Sequence, residues 1–192
     1  AINRRKQTDP IVLLAGGPGQ GAQLSFTAVS TVFSRTGRQR DIVLLDQRGT
    51  GRSNMLSCVT ESRSTAETFA SDTATFVKLN EKCLEKLRST SDLGAYTTSH
   101  AVRDLDAVRA LLGYEKLNFY AASYGTRVAQ HYARRYPERV RSMVLDGVVA
   151  PDLTSEEINL GQAVGFEGAT REWAAYCVSQ GDCPLGDSVD GV

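Results

Sequence analysis

Leu117-Asn118-Phe119-Tyr120-Ala121-Ala122-Ser123-Tyr124-Gly125-Thr126-Arg127 reads as a strand running into a tight turn with a serine at its apex. Residues 116–121 form an aromatic and apolar run of strand length, and residues 126–136 carry helical spacing. Small residues two places either side of the serine let strand and helix approach closely enough to hold it on a strained turn with Oγ exposed. The usual spelling is G-x-S-x-G; here the first position is Ala121, one methyl larger. A bare A-x-S-x-G turns up by chance in many helices, so the flanking strand and helix carry the reading. They make Ser123 a candidate nucleophile.

Working outward, 192 residues with 41% apolar side chains are enough for one domain with a substantial core. The 22 basic residues balance 22 acidic ones, so no net field draws the chain to nucleic acid or an anionic membrane. The apolar runs at residues 11–15 and 42–45 are far too short to span a bilayer and read as buried strands. No leader is visible before the polar opening, so any targeting segment was removed or lies outside these residues.

Cys58, Cys83, Cys177 and Cys183 make an even number, and neither local pair has metal-ligand spacing with histidines nearby. No metal is expected. The preferred pairing is Cys58 with Cys83 and Cys177 with Cys183, each bond contributing about 2–4 kcal/mol by restricting the unfolded chain. That pairing implies an oxidising compartment. Four reduced, buried thiols in a cytosolic protein remain the alternative.

The run at residues 10–15 ends in Gly16-Gly17-Pro18-Gly19, and the run at residues 41–45 ends in Asp46-Gln47-Arg48-Gly49-Thr50-Gly51-Arg52-Ser53. Residues 22–33 between them predict a helix. A third strand leads into Ser123, and a fourth, residues 140–145, ends at Asp146-Gly147. Strands alternating with helices point to βαβ units and a parallel sheet covered on both faces. Before Ser123, Val102, Leu105, Val108 and Leu112 recur at helical spacing, with Ser99 as the expected cap and Gly113 as the stop. After it, Val128, Ala129, Tyr132, Ala133 and Tyr136 share one helix face that ends at Pro137. Residues 58–96 read as a polar excursion stapled by its cysteines, with one amphipathic helix at 76–87. Beyond Pro151 the periodicity changes: Thr154 and Glu157 form a capping-box pattern ahead of Ile158, Val164, Phe166 and Trp173. Residues 1–150 are therefore expected to form the core and 151–192 the start of a helical cap. Trp173 and Phe166 read as core aromatics, with a substrate pocket as the alternative.

Taken together, Gly16 to Gly19, Asp46 to Ser53, Ser123-Tyr124-Gly125-Thr126 and Tyr136-Pro137-Glu138-Arg139-Val140 arrive in an order and spacing that resemble the α/β-hydrolase fold. The resemblance is to the branch of prolyl aminopeptidases and secreted tripeptidyl-aminopeptidase-like serine hydrolases, and it covers most of residues 9–151. Cys58, Cys83 and the closing Cys183-Pro184-Leu185-Gly186 are similar to the secreted subgroup, which supports the disulfides and a secreted or periplasmic location. Acyl transfer needs a nucleophile, a base and oxyanion donors. The resemblance implies Ser123 as nucleophile, the N–H of Tyr124 as one oxyanion donor, and a second from the glycine turn. Pro18 has no N–H, so Gly17 is the choice, with Gly19 behind it. Family members often introduce this turn with a histidine, where this chain has Ala15. The turn fits neither G-x-G-x-x-G nor a P-loop, so no phosphate-bearing cofactor is expected. The Asp46 to Ser53 loop reads as structural, with Asp46 and Arg48 bonding to nearby backbone.

A triad on this fold runs Ser, then Asp or Glu, then His, yet no histidine follows His131. His100 and His131 read as ordinary polar helix residues. Asp146 reads as a structural or supporting carboxylate, because the resembled branch takes its acid from beyond the cap. Asp182, Asp187 and Asp190 lie in an expected loop. The resemblance implies that the leading strands and the carboxy-terminal part of the fold are expected to lie outside these residues. The expectation is a fragment of a hydrolase cleaving small peptides or esters, inactive by itself, with the missing carboxy-terminal half as its possible partner. A carboxylesterase and a catalytically dead ligand- or partner-binding module remain the alternatives.

Overall fold

The apolar runs form four parallel strands, β1 Ile11–Leu14, β2 Ile42–Leu44, β3 Leu117–Ala122 and β4 Val140–Asp146, in the order β2-β1-β3-β4. The structure, a computed structural model, describes residues 7–58 and 73–191. The helices are α1 Ala22–Val29, α2 Thr73–Arg88, α3 Thr98–Leu111, α4 Tyr124–Arg135 and α5 Ser155–Ser179. β1 pairs with β2 and β3, and β3 pairs with β4, with Leu14 opposite Ala121 and Ala122 opposite Asp146. The chain divides into two compact units, Ala1–Val148 and Val149–Val192.

Alternation along β1 and β3 sends side chains to two cores. On one face Val12, Leu14, Leu117, Phe119 and Ala121 meet Val102 and Leu105 of α3 and Val128, Ala129 and Tyr132 of α4. On the other, Leu13 packs with Ala22 and Phe33, joined by Phe26, Leu44 and Tyr120. Burial of each large side chain contributes about 1.5–3 kcal/mol, so this double covering is what holds β1 and β3 in the middle.

Among the described residues β4 pairs on one side only, with β3, and its Val144 and Met143 are 57% and 37% exposed. Two helix boundaries shift. α1 stops at Val29 and tightens into a 3-10 turn, Ser30–Phe33; the hydroxyls of Ser25, Thr27 and Ser30 bond back to carbonyls three or four residues earlier. Such bonds compete with the helical ladder. α3 starts one residue before Ser99, the expected cap. The cap position is Thr97, which is extended (φ −103°, ψ 160°), and its hydroxyl is 2.8 Å from His100 Nδ1.

At the base of the sheet, Asn118 is buried and bonds the Asp9 carboxylate at 2.8 Å, the Pro10 carbonyl at 3.0 Å and the Ser142 hydroxyl at 2.7 Å. Asp9 also pairs with Arg40 and Arg141. Burial raises its pKa, but the bonds from Arg40 and Asn118 outweigh that and the net shift is downward.

Both disulfides are formed as paired in the sequence reading, Cys58 to Cys83 and Cys177 to Cys183, with Cα atoms 5.3 and 5.1 Å apart. The first ties the segment after the Asp46 loop to α2; the part of the excursion at residues 59–72 lies outside the described residues. In the second unit, Thr154 and Glu157 form the expected capping box: the Glu157 N–H donates to Thr154 Oγ1 at 3.2 Å and the Thr154 N–H to Glu157 Oε2 at 2.8 Å. Phe166 and Trp173 are exposed rather than core residues of this unit, where Ala174 is the buried position of α5.

Candidate active site

Ser123 stands between the last residue of β3 and the first of α4, with φ 52° and ψ −123°, a region a β-carbon disfavours. Three contacts hold it there. Its N–H donates to the Asp146 carbonyl at 2.8 Å, while its own carbonyl accepts from the Thr126 N–H at 2.9 Å and from Thr126 Oγ1 at 2.7 Å. Gly125 lets α4 settle against β1, since a β-carbon there would overlap the carbonyls of Leu14 and Ala15. Ala121, where glycine is usual, is fully buried, so its methyl is accommodated within the core. The Ser123 side chain is exposed, and among the described residues its Oγ has no hydrogen-bond partner.

The glycine turn lies against the elbow. A β-carbon added to Gly16 would sit 3.2 Å from Ser123 Cβ and 3.6 Å from its Oγ. Gly17 and Gly19 have φ of 106° and 112°, which only glycine adopts without strain. Tyr124 opens α4, so its N–H has no intrahelical acceptor and lies at the positive end of the helix dipole. Among the described residues neither the Tyr124 N–H nor the Gly17 N–H has an acceptor. The Tyr124 hydroxyl is 2.7 Å from Thr98 Oγ1, which ties the first residue of α4 to the start of α3. Together these features set an exposed hydroxyl beside unpartnered backbone donors, the arrangement acyl transfer calls for.

The remaining candidates are placed elsewhere. His100 is engaged with Thr97. His131 lines a groove with Ser99, Val102, Arg134 and Arg135; burial, together with Arg127 and Arg134, lowers its pKa and favours the neutral ring. Neither histidine bonds Ser123. The Asp146 carboxylate accepts the Tyr120 hydroxyl at 2.8 Å. Asp190 pairs with Arg171 at 3.0 Å within the second unit. Asp46 is buried and accepts from the Gln23 N–H at 3.1 Å, Gln23 Nε2 at 3.3 Å and the Arg52 N–H at 2.9 Å. Arg48 makes a two-pronged pair with Asp104, at 2.6 and 2.5 Å, and donates to the Ala95 carbonyl at 2.9 Å. A cavity of about 340 Å³ opens beside this loop, lined by Leu14, Leu45, Asp46, Arg48, Asp104 and Val128, and Ser123 is not among its walls. Sequence reading missed Gly16, Tyr120 and Thr126. A hydroxyl three residues after the serine, placed to reach back to its carbonyl, was the one available signal for Thr126.

Residues 9–189 match the alpha/beta hydrolase fold family, and the chain belongs to it. It is 34% identical to a protein named serine protease Hip1 of Mycobacterium tuberculosis (strain ATCC 25618 / H37Rv), over 92% of this chain and 36% of that protein. A tripeptidyl aminopeptidase of Streptomyces coelicolor is also 34% identical, over 88% of this chain and 34% of that protein. A protein named carboxylesterase B of Mycobacterium tuberculosis (strain CDC 1551 / Oshkosh) is 32% identical, over 89% of this chain and 35% of that protein. The chain thus spans about a third of the length of these relatives.

Proposed function

We propose that these residues form the nucleophile-bearing part of a serine hydrolase that cleaves short peptides from the amino terminus through an acyl-enzyme on Ser123. The observation that carries this reading is the exposed Ser123 at φ 52°, unpartnered at Oγ and backed by the Gly16 to Gly19 turn. Ser123 Oγ attacks the substrate carbonyl and forms the acyl bond, its proton passing to a base and from there to the leaving amine; water then releases the acyl group by the reverse sequence. Developing charge on the carbonyl oxygen falls to the Tyr124 and Gly17 N–H groups, with Gly19 behind them. Peptide substrates are supported by the relatives named as a serine protease and a tripeptidyl aminopeptidase. The relative named carboxylesterase B supports an esterase as the second reading.

Acid and base are assigned to the part of the relatives' length that these residues do not span, since His100 and His131 are placed elsewhere. The unit Val149–Val192 is read as the start of a cap, and the two disulfides support a secreted or periplasmic site of action. By itself the chain is expected to turn over little or nothing, as losing the base of a related triad costs on the order of 10⁶ in kcat.

A fluorophosphonate probe with peptide mapping tests the reading. The protein carrying this chain together with the remainder of the hydrolase should be labelled at Ser123, and should cleave aminoacyl or peptidyl arylamides until Ser123→Ala is introduced. Activity that survives Ser123→Ala would remove the nucleophile assignment. Turnover by the 192 residues alone, abolished by that substitution, would remove the claim of dependence on the rest. Rapid ester cleavage with no arylamide cleavage would select the esterase. An unreactive Ser123 in the complete protein would select a binding module without catalysis.

A further inference from the structure

A non-glycine residue at φ 52° costs about 1–3 kcal/mol and persists only where its surroundings over-determine it. The supports of Ser123 differ in how firmly they are themselves held. Thr126 and Gly125 belong to α4, and Thr126 is fully buried. The third support, the Asp146 carbonyl, stands at the last residue of β4, which among the described residues pairs on one side only, and is followed by Gly147 at φ 64°. A strand end is where fraying begins. Besides its ladder pairing opposite Ala122, this strand end is tied through the Asp146 side chain to Tyr120. In the parallel register Tyr120 lies opposite Val144 and Ala122 opposite Asp146, so the tyrosine reaches diagonally across two positions to place its hydroxyl 2.8 Å from Asp146 Oδ2. Its ring is fixed from behind by Phe33, edge to face, with centroids 5.2 Å apart. The hydrogen bond to Asp146, with burial, raises the Tyr120 pKa, so the phenol stays a donor across the neutral range.

We propose that Tyr120 and Asp146 are positioning residues for the nucleophile: the Tyr120 hydroxyl fixes the end of β4 so that the Asp146 carbonyl holds the Ser123 N–H. This rests on the reading of Ser123 as nucleophile. It gives the Asp146 carboxylate the duty of accepting one hydrogen bond, which a neutral amide oxygen performs as well, and no part in proton transfer.

Amide hydrogen exchange of the 192-residue chain tests the positioning without any need for turnover. Tyr120→Phe and Asp146→Ala should each speed exchange of the Ser123 N–H about tenfold and leave the Phe119 amide unchanged. Asp146→Asn should stay within about threefold of the parent, and the double variant Tyr120→Phe with Asp146→Ala should be no worse than either single change. In the complete hydrolase, Tyr120→Phe should lower kcat about tenfold at unchanged KM, and Asp146→Asn should keep both kcat and its pH profile. Unchanged Ser123 exchange in Tyr120→Phe overturns the proposal. So does an Asp146→Asn variant as impaired as Asp146→Ala, because charge would then be the active property. Loss of the hydrolase reading itself would show instead as turnover surviving Ser123→Ala, with the exchange result standing.

Discussion

Two loops at the same end of the sheet begin alike and end differently. After β2, the loop from Asp46 to Ser53 commits two strong polar groups to its own neighbours: Asp46 takes three donors and Arg48 is spent on Asp104 and the Ala95 carbonyl. After β3, Ser123 spends its backbone on its neighbours and leaves its hydroxyl free. Both connections follow apolar strands. A closed set of hydrogen bonds makes a brace, whereas a strained residue whose hydroxyl has no partner among the described residues leaves that group open to solvent. Which loop is which depends on where donors converge.

Breaking each loop should therefore harm a different property. The largest effect is expected at the elbow: Ser123→Ala should remove hydrolysis by the complete enzyme, a loss of roughly 10⁴ or more in kcat, with the thermal midpoint unmoved in the same preparation. Next comes Gly125→Val, which forces branched carbon into the Leu14 carbonyl. It should cost about 3 kcal/mol or more, read as a large drop in the urea midpoint, and native stability would show that β1 and α4 are not in such close approach. Asp46→Ala should cost about 2–4 kcal/mol by leaving the Gln23 and Arg52 N–H groups without their acceptor, while Ser123 in the complete enzyme retains its reactivity toward the fluorophosphonate probe.

A third clamp sharpens the comparison through pH. Asp106 accepts from Arg109 at 2.8 Å, from the Tyr132 hydroxyl at 2.9 Å and from Arg139, binding α3 to α4. Burial raises its pKa, but the Arg109, Arg139 and Tyr132 bonds prevail and the net shift is below 3.8. A lowered folded-state pKa contributes stability that is whole above the unfolded value and is lost as pH falls through the folded one. Asp106→Asn should therefore cost about 2–3 kcal/mol at pH 7, with the gap in thermal midpoint closing as pH drops below 3.8. A gap that persists unchanged at lower pH would assign the loss to geometry rather than charge. The smallest effect is expected for Ala121→Gly, which restores the usual spelling of the elbow at a cost of about 1 kcal/mol or less, with catalysis retained.

Much of the fold is legible in the residues because its signals are local. Apolar runs of four to seven residues mark strands, and Thr154 with Glu157 mark a helix start in the same way the structure uses them. Boundaries were less legible: nothing in the run from Ser25 to Ser30 states that its hydroxyls will shorten α1. Exposure was less legible still. The apolar fourth strand reads as buried, yet among the described residues Val144 is 57% exposed, because what packs over a strand is not written in that strand.

The sequence by itself determined a parallel α/β architecture, the elbow at Ser123 and the glycine turn, since each depends on residues a few places apart or on a linked set of short motifs. Only the tertiary structure decided that Asp46 gathers Gln23 and Arg52, that Tyr120 reaches Asp146 on the neighbouring strand, and that Gly16 backs onto Ser123. Those contacts join residues up to 107 positions apart, as the numbers 16 and 123 show. They form only once parallel pairing sets the register, because a hydrogen bond is decided within a fraction of an ångström and sequence spacing carries no such distance.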